Sequence, residues 1–262
     1  MRRETVRHET IRCVDTLAAS AAEVTSDNVV GYQKINLEQG WNMIGMQFNA
    51  VGGGELPLST AAILSEDMAG FDEDGNYINE LHVWENGNYT KYGWSGISGT
   101  EYLEDESYDN QWLDDQLEIV DGASFPKAQG VWIRTSSTGS VTIAGEVPTD
   151  SSVTIPLTEG WNMVANPFPG DAKVSTFGML SEDMAGFDED GNYINELHVW
   201  ENGNYTKYGW SGISGTEYLE DESYDYKWLD DQLEIVEDNI VIPFGHGVWI
   251  KTSSSGSITF TK

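Results

Sequence analysis

Asp72, Asp74 and Asn76 place oxygen donors at alternate positions around Gly75, and Asp188, Asp190 and Asn192 repeat the arrangement around Gly191. Hard oxygen ligands at loop positions 1, 3 and 5 are how calcium loops begin. Such a loop also needs a glycine at position 6 and a glutamate at position 12, and here those places hold Tyr77 and Val83. The plainer reading, an acidic Asp-Gly turn, is favoured, and no cofactor is expected. A second constellation is carboxylic: Asp105, Glu106 and Asp109, then Asp114 and Asp115. Glycoside hydrolysis needs two carboxyls at a set separation. With 44 acidic residues in the chain, chance pairs are common, so a solvated acidic face is the expectation and no catalytic residue is assigned. A third constellation is aromatic. Trp94 with Tyr92, and Trp210 with Tyr208, border glycine-rich sequence and are the candidates for stacking on sugar rings, although burial in the core is the favoured reading of Trp94. Trp41, Trp84 and Trp132 lie among apolar strand residues and are expected in the core. The histidines His82 and His198 are copies of one position, so no Ser-His-Asp arrangement is credible.

The elements that must position these residues come in two sets. The 46 residues from Leu64 to Asp109 recur letter for letter from Leu180 to Asp225, and all ten tryptophans pair off, five to each copy. A period near 115 residues is too long for a solenoid unit and long enough for an independent core. The division reads as a basic tail or short helix over 1–28, a first lobe over 29–147 and a duplicate lobe over 148–262. Within each lobe, β-branched runs open the chain, followed by Gly-Trp-Asn at Gly40 and Gly160. The spacing of "LSTAAILSEDM" and "VSTFGMLSEDM" predicts a short helix ended by Gly70 or Gly186. Asn86-Gly87 predicts a tight hairpin turn. "GVWIRTSSTGSVTIAG" and "GVWIKTSSSGSITFTK" each supply a closing pair of strands. The fold class expected is all-β, two tandem homologous sandwich or barrel lobes with short helical insertions.

The formal charge is −31. Arg2, Arg3, Arg7 and Arg12, with Glu4 and Glu9, make the first twelve residues +2, which leaves −33 on residues 13–262. Such a body repels phosphate, and nucleic acid is not expected as a partner. No apolar run approaches the length of a membrane span. Cys13 stands alone, which excludes an intrachain disulfide and a multi-cysteine zinc site. Arg12 and Asp15 fall where the apolar region of a secretory leader would lie, so either the chain is not exported by that route or its leader has been removed by processing.

"GWNMIGMQF", "VWENGNYTKY" and "GVWI" followed by "SGSITF" resemble a bacterial and archaeal β-repeat with the pattern Gly-Trp-Asn-Leu-Ile-Gly-x-Pro, then Val-Trp with a Tyr-bearing hairpin, then Gly-x-Gly-x-Trp-Val. The resemblance covers roughly residues 32–262. Lobe 2 follows it closely, with Pro167 and the pair Gly245 and Gly247. Lobe 1 departs from it, with Gln47 for the proline and Ala128 for the first glycine. The resemblance implies a module of large secreted or cell-surface proteins and is almost silent on activity. The function expected is non-enzymatic: a structural or adhesive subunit of a surface layer, filament or other extracellular assembly. The alternatives are a carbohydrate-binding module with a glycan partner, or a phage virion component, which would need no leader. Self-association into a homo-oligomer or polymer is expected, with Arg2, Arg3, Arg7, Ile11, Arg12, Val14 and Leu17 docking on another subunit's acidic lobe.

Overall fold

The chain was analysed as a computed structural model. It describes residues 30–65, 70–85, 87–97, 103–120, 122–125, 128–174, 177–181, 186–201, 203–213, 219–236 and 240–262. The tail residues expected to make assembly contacts (Arg2, Arg3, Arg7, Ile11, Arg12, Val14 and Leu17) lie outside the described residues.

The chain is all-β, with only single 3-10 turns for helix among the described residues. The strands of lobe 1 are β1 (Val30–Leu37), β2 (Gly40–Gly45), β3 (Leu56–Pro57), β4 (Ala62–Ser65), β5 (Glu80–Glu85), β6 (Asn88–Trp94), β7 (Trp112–Leu113), β8 (Ser124–Phe125), β9 (Gly130–Thr135) and β10 (Gly139–Glu146). Lobe 2 repeats them as β11 (Ser152–Leu157), β12 (Gly160–Ala165), β13 (Ala172–Lys173), β14 (Phe177–Ser181), β15 (Glu196–Glu201), β16 (Asn204–Trp210), β17 (Trp228–Leu229), β18 (Val241–Ile242), β19 (Gly247–Thr252) and β20 (Gly256–Thr261). Each lobe has a five-stranded sheet, ordered β2-β9-β5-β6-β7 or β12-β19-β15-β16-β17. Each also has a three-stranded sheet, ordered β1-β10-β4 or β11-β20-β14. All these pairings are antiparallel, and no named sheet mixes strands of the two lobes.

One sequence expectation changes here and another is sharpened. The predicted helix at Leu58–Met68 is instead one 3-10 turn (Leu58–Thr60) and the edge strand β4, which pairs with β10. In lobe 2 the same place is β14, paired with β20. The apolar run matched a helical stripe, but an unpaired flank of β10 offers it a full ladder of backbone hydrogen bonds, which tertiary context can supply against local propensity. The closing pair of strands is present as expected, but its two members do not pair with each other. β9 belongs to the large sheet and β10 to the small one, so the Ser-Ser-Thr turn is a corner between sheets. The β1-to-β2 connection turns the same corner alongside it: the Gln39 side-chain amide donates to the Ser136 carbonyl at 2.9 Å, and the Thr135 hydroxyl donates to the Glu38 carbonyl at 3.0 Å.

Between the two sheets of lobe 1 lie Ile35, Leu37, Ile44, Leu81, Val83, Trp94, Trp112, Val131, Ile133, Val141 and Ile143 in one buried cluster. Lobe 2 builds the equivalent cluster from residues such as Leu157, Leu197, Trp210, Trp228, Ile250 and Ile258. Side chains alternate between the faces of a strand. One face of the large sheet is therefore accounted for by Leu81, Val83, Val131 and Ile133, and the question becomes what its other face carries.

Candidate functional site

On that other face, strand parity places Glu80, His82 and Trp84 of β5, Tyr89 and Lys91 of β6, Trp132 and Arg134 of β9, and Trp41 and Met43 of β2. A solvated sheet face should be polar, and this one is banded instead. Small residues occupy one end, aromatic rings the middle, and charges the far end.

The small end is where the lobes meet. Met43, Trp132, Met163 and Trp249 form a buried cluster with Trp84 and Trp200 packed against it. The contacts are reciprocal. Trp132 meets Trp200 at 5.2 Å between ring centroids and 85° between planes, and Trp249 meets Trp84 at 5.2 Å and 84°. The Gly45 amide donates to the Gly245 carbonyl at 2.7 Å, and the Ala165 amide donates to the Ala128 carbonyl at 2.8 Å. A contact from i to j matched by one from j′ to i′ is the signature of an isologous two-fold interface, here within one chain. Gly130 and Gly247 face each other on it. A Cβ added at Gly247 would lie 2.9 Å from the Gly130 Cα, so only glycine permits this approach. Each edge-to-face aromatic pair contributes about 0.5–1.5 kcal/mol beyond its burial.

The aromatic middle forms two cups related by the same two-fold. One, of about 310 Å³, is lined by Trp41, His82, Tyr89, Trp132, Trp200 and Tyr205. The other, of about 360 Å³, is lined by Trp84, Tyr89, Trp161, His198, Tyr205 and Trp249. Each cup takes rings from both lobes, and Tyr89 and Tyr205 line both cups. Trp41 stands edge-on to His82 at 4.7 Å and to Trp132 at 6.0 Å, and Trp161 repeats this with His198 at 4.8 Å and Trp249 at 6.0 Å. Trp41 and Trp161 are 42% and 40% exposed, and Tyr89 and Tyr205 are each 44% exposed. Beyond Trp41 the surface continues into a groove of about 670 Å³ bordered by Asn36, Glu38 and Gln39. Beyond Trp161 it continues into one of about 680 Å³ bordered by Gln129, Thr158 and Glu159.

The charged band fixes the rings from behind. Glu80 is buried and accepts from Lys91 at 2.6 Å and from His82 at 3.0 Å, with Arg134 at 3.6 Å. Glu196 repeats this with His198 at 2.7 Å, Lys207 at 3.1 Å and Lys251 at 3.5 Å. Burial opposes the charge on Glu80, but hydrogen bonds from Lys91 and His82 outweigh it and hold its pKa below the usual range. Burial lowers the His82 pKa, so the ring beneath Trp41 is neutral at neutral pH. Burial also raises the pKa values of Tyr89 and Tyr205, which keeps their hydroxyls protonated. The first cup is thus lined by uncharged rings, and neither cup has an Asp, Glu, Lys or Arg in its lining.

The sequence-selected sites fall elsewhere. Trp94 and Trp210 are only 5% and 6% exposed, inside the lobe cores, where no ligand can stack on them. Tyr92 and Tyr208 pack against those cores. Conversely Trp41, expected in the core, is among the most exposed tryptophans, and Trp84 and Trp132 form the seam between lobes. Asp72 accepts from the backbone amides of Asp74 at 3.0 Å and Asn76 at 2.8 Å, and the Asn76 side chain donates to both its oxygens. Asp188, Asp190 and Asn192 repeat the pattern. The backbone amide and side chain of Asn76 lower the Asp72 pKa, as those of Asn192 do for Asp188. These oxygens tie an Asx turn. The other acidic candidates behave alike: Asp105 caps a 3-10 turn through the Ser107 amide, and Asp114 accepts from the amides of Gln116 and Glu118. Among the described residues no cluster of three His, Cys, Asp or Glu side chains is arranged to hold a metal.

No family model and no curated protein matches the chain. Among solved structures it is similar to the major capsid protein P2 from bacteriophage PM2, at 9% identity over 87% of this chain and 95% of that chain, with a TM-score of 0.21. A TM-score of that size is below that of a shared fold.

Proposed function

We propose that the protein is a non-catalytic adhesive module that holds a carbohydrate in the aromatic groove along the seam between its lobes. The observation that carries this reading is the ring set Trp41, Tyr89, Trp161 and Tyr205, left about 40% exposed around two cups while Trp132 and Trp249 of the same faces are buried. Exposing such rings forgoes the burial that stabilises Trp94 and Trp112, and a ligand that covers them recovers it. Pyranose rings present a C–H face to an aromatic plane and hydroxyls at the rim, a match for cups bordered by amide and carboxylate side chains. Placement outside the cell fits the resemblance to surface β-repeats.

Tryptophan emission during titration with oligomers from cellulose, xylan, chitin and starch tests the reading. Saturable change that Trp41→Ala and Trp161→Ala each weaken supports it. Absence of binding across all four series overturns it.

A second reading, self-association, is favoured by the edge strand β1. Among the described residues it pairs on one side only, with β10, and it presents Val30 and Tyr32 at 61% and 80% exposure. Such edges add further strands unless blocked. Light scattering at rising protein concentration tests this reading: growth that Tyr32→Lys abolishes supports it, and a constant monomer mass overturns it.

A further inference from the structure

The groove has two cups, and two arrangements of ligand are open to it: one short sugar in each cup, or one strand across both. We infer that the protein binds a single uncharged, linear oligosaccharide strand lying across the pseudo-two-fold axis, engaging both lobes at once and in either polarity. This rests on the carbohydrate reading above and adds the ligand's charge, length and stoichiometry.

Continuity comes first. Tyr89 and Tyr205 line both cups, so the two concavities meet at this tyrosine pair. Trp41 with Trp200, and Trp161 with Trp84, each border both a cup and the outer groove beside it. The four concavities therefore follow one another along the seam, with rings at each junction. A run of this kind is shaped for a chain.

Charge selects among chains. The protein carries −31, which disfavours approach of sulfated or uronic polymers. The cations nearest the cups, Lys91, Arg134, Lys207 and Lys251, are already engaged by Glu80 and Glu196. The cup linings themselves are aromatic rings with no Asp, Glu, Lys or Arg among them. An extended peptide fits less well. Its backbone amides and carbonyls would lie against cups lined by rings alone and go unpaired there. A sugar strand instead turns its hydroxyls outward to solvent and toward Glu38, Gln39 and Glu159 in the outer grooves. Polarity is indifferent at the cups, because the two-fold gives both the same set of Trp, Tyr and His rings.

Spanning has a measurable consequence. Occupying the second cup becomes intramolecular once the first is filled, which multiplies affinity by about 10²–10⁴ without new contacts. The test is calorimetry on the full chain with neutral cellulose-, xylan-, chitin- and starch-derived oligomers from disaccharide to octasaccharide, and with polygalacturonate oligomers. The expected result, for the series that binds, is two weak equivalent sites for the shortest oligomers. Stoichiometry then falls to one, with an affinity gain of about 100-fold, at the length that reaches both cups. Trp41→Ala or Trp161→Ala should each return the long oligomer to the short oligomer's affinity, while Trp41→Phe retains most of the gain. Two sites at every length with no gain, or tighter binding of the uronic series, overturns the spanning inference and leaves the carbohydrate reading standing. Binding of a proline-rich peptide with no binding of any sugar overturns both.

Discussion

Lobe 1 and lobe 2 share an identical block that supplies β5, β6 and the acidic turns, and they diverge in the flanking strands that meet at the seam. The identical part keeps the same internal geometry: Phe71–Tyr77 and Phe187–Tyr193 are both 4.9 Å between ring centroids and 31° between planes. The divergent part is where the two copies touch. Gly45 and Ala165 occupy equivalent positions in β2 and β12, and a Cβ on Gly45 would lie 2.5 Å from the Ala165 Cβ. The seam has room for one methyl there, not two. A symmetric homodimer must place the same residue on both sides of its axis, so it would choose between a clash and a void. A duplicated chain escapes that constraint by letting one copy differ. The difference between lobes teaches that the two-fold is a packing plan, with atoms adjusted on either side of it.

The largest expected effect breaks that adjustment. Gly45→Ala adds the second methyl and also drives a Cβ to 2.7 Å from the His246 carbonyl oxygen. Overpacking of this kind costs about 1–3 kcal/mol, and the upper half of that range is expected because a backbone atom cannot swing aside. Ala165→Gly alone should cost about 1 kcal/mol through lost burial and added chain freedom. In the double variant the methyl–methyl clash is gone, so at least about 1 kcal/mol should be recovered relative to additivity. Urea unfolding of the four proteins measures it. Strict additivity would mean that the two positions do not share one space.

Much of this was legible in the chain. The duplication, the two lobes, the all-β class and the Asn-Gly hairpin follow from repeats and turn residues. The Asp72 turn follows from its chemistry. What misled was treating each tryptophan by its apolar neighbours. Trp84 stands between Val83 and Glu85, which suggests the core, yet it shares parity with Glu80 and His82. Trp132 shares parity with Arg134, and Tyr89 with Lys91. Counting by twos from those charges would have placed all three rings on the face away from Leu81 and Val83. For Trp94 the usual burial of large aromatics pointed correctly to the core, although the glycines beside it also admitted an exposed platform. Gly93 is small because Tyr77 covers it, and a Cβ there would lie 1.9 Å from the Tyr77 ring. The seam itself had no signal, because contacts between lobes are not periodic in either one.

The next prediction uses the loop between β18 and β19. Gly245 in lobe 2 has φ +84, and an added Cβ would lie 2.1 Å from the side-chain nitrogen of Gln33, which is buried. Gly245→Ala should therefore cost about 2 kcal/mol, combining left-handed strain of about 1–2 kcal/mol with displacement of Gln33. A loss under about 0.5 kcal/mol in urea unfolding would show that Gln33 moves without penalty.

A third difference runs in the opposite direction. Asn166 in lobe 2 is buried but satisfied, donating to the Gly170 carbonyl at 2.6 Å and accepting from the Phe168 amide at 3.0 Å. One residue on, where lobe 2 has Pro167, lobe 1 has Gln47 at 2% exposure, with neither amide atom hydrogen-bonded. A buried polar group without a partner costs about 1–3 kcal/mol. Gln47→Met, of similar shape, should stabilise the chain by about 1 kcal/mol, seen as a higher urea midpoint at constant slope. A lower midpoint would mean that Gln47 is held by interactions its burial conceals.

The smallest effect is the mirror of Gly245. Its lobe 1 counterpart is Ala128, which departs from the glycine of the resembled repeat yet keeps the glycine-like backbone, with φ 57. The carbonyl of Ala128 must accept from the Ala165 amide across the seam, so the backbone cannot relax out of the left-handed region without losing that bond. An alanine held there costs about 1–2 kcal/mol. Ala128→Gly removes the strain but frees the unfolded chain, which returns about 0.4–1 kcal/mol of the gain. It also gives up burial of one methyl at a site only 1% exposed, worth about 0.8 kcal/mol at full burial. The three contributions nearly cancel, leaving an expected stabilisation of about 0.5 kcal/mol or less. The sign is the informative part, because Gly245→Ala is expected to lose several times more than Ala128→Gly changes. Were the two substitutions equal and opposite, Gln33 would contribute nothing and the lobes would differ here by backbone strain alone.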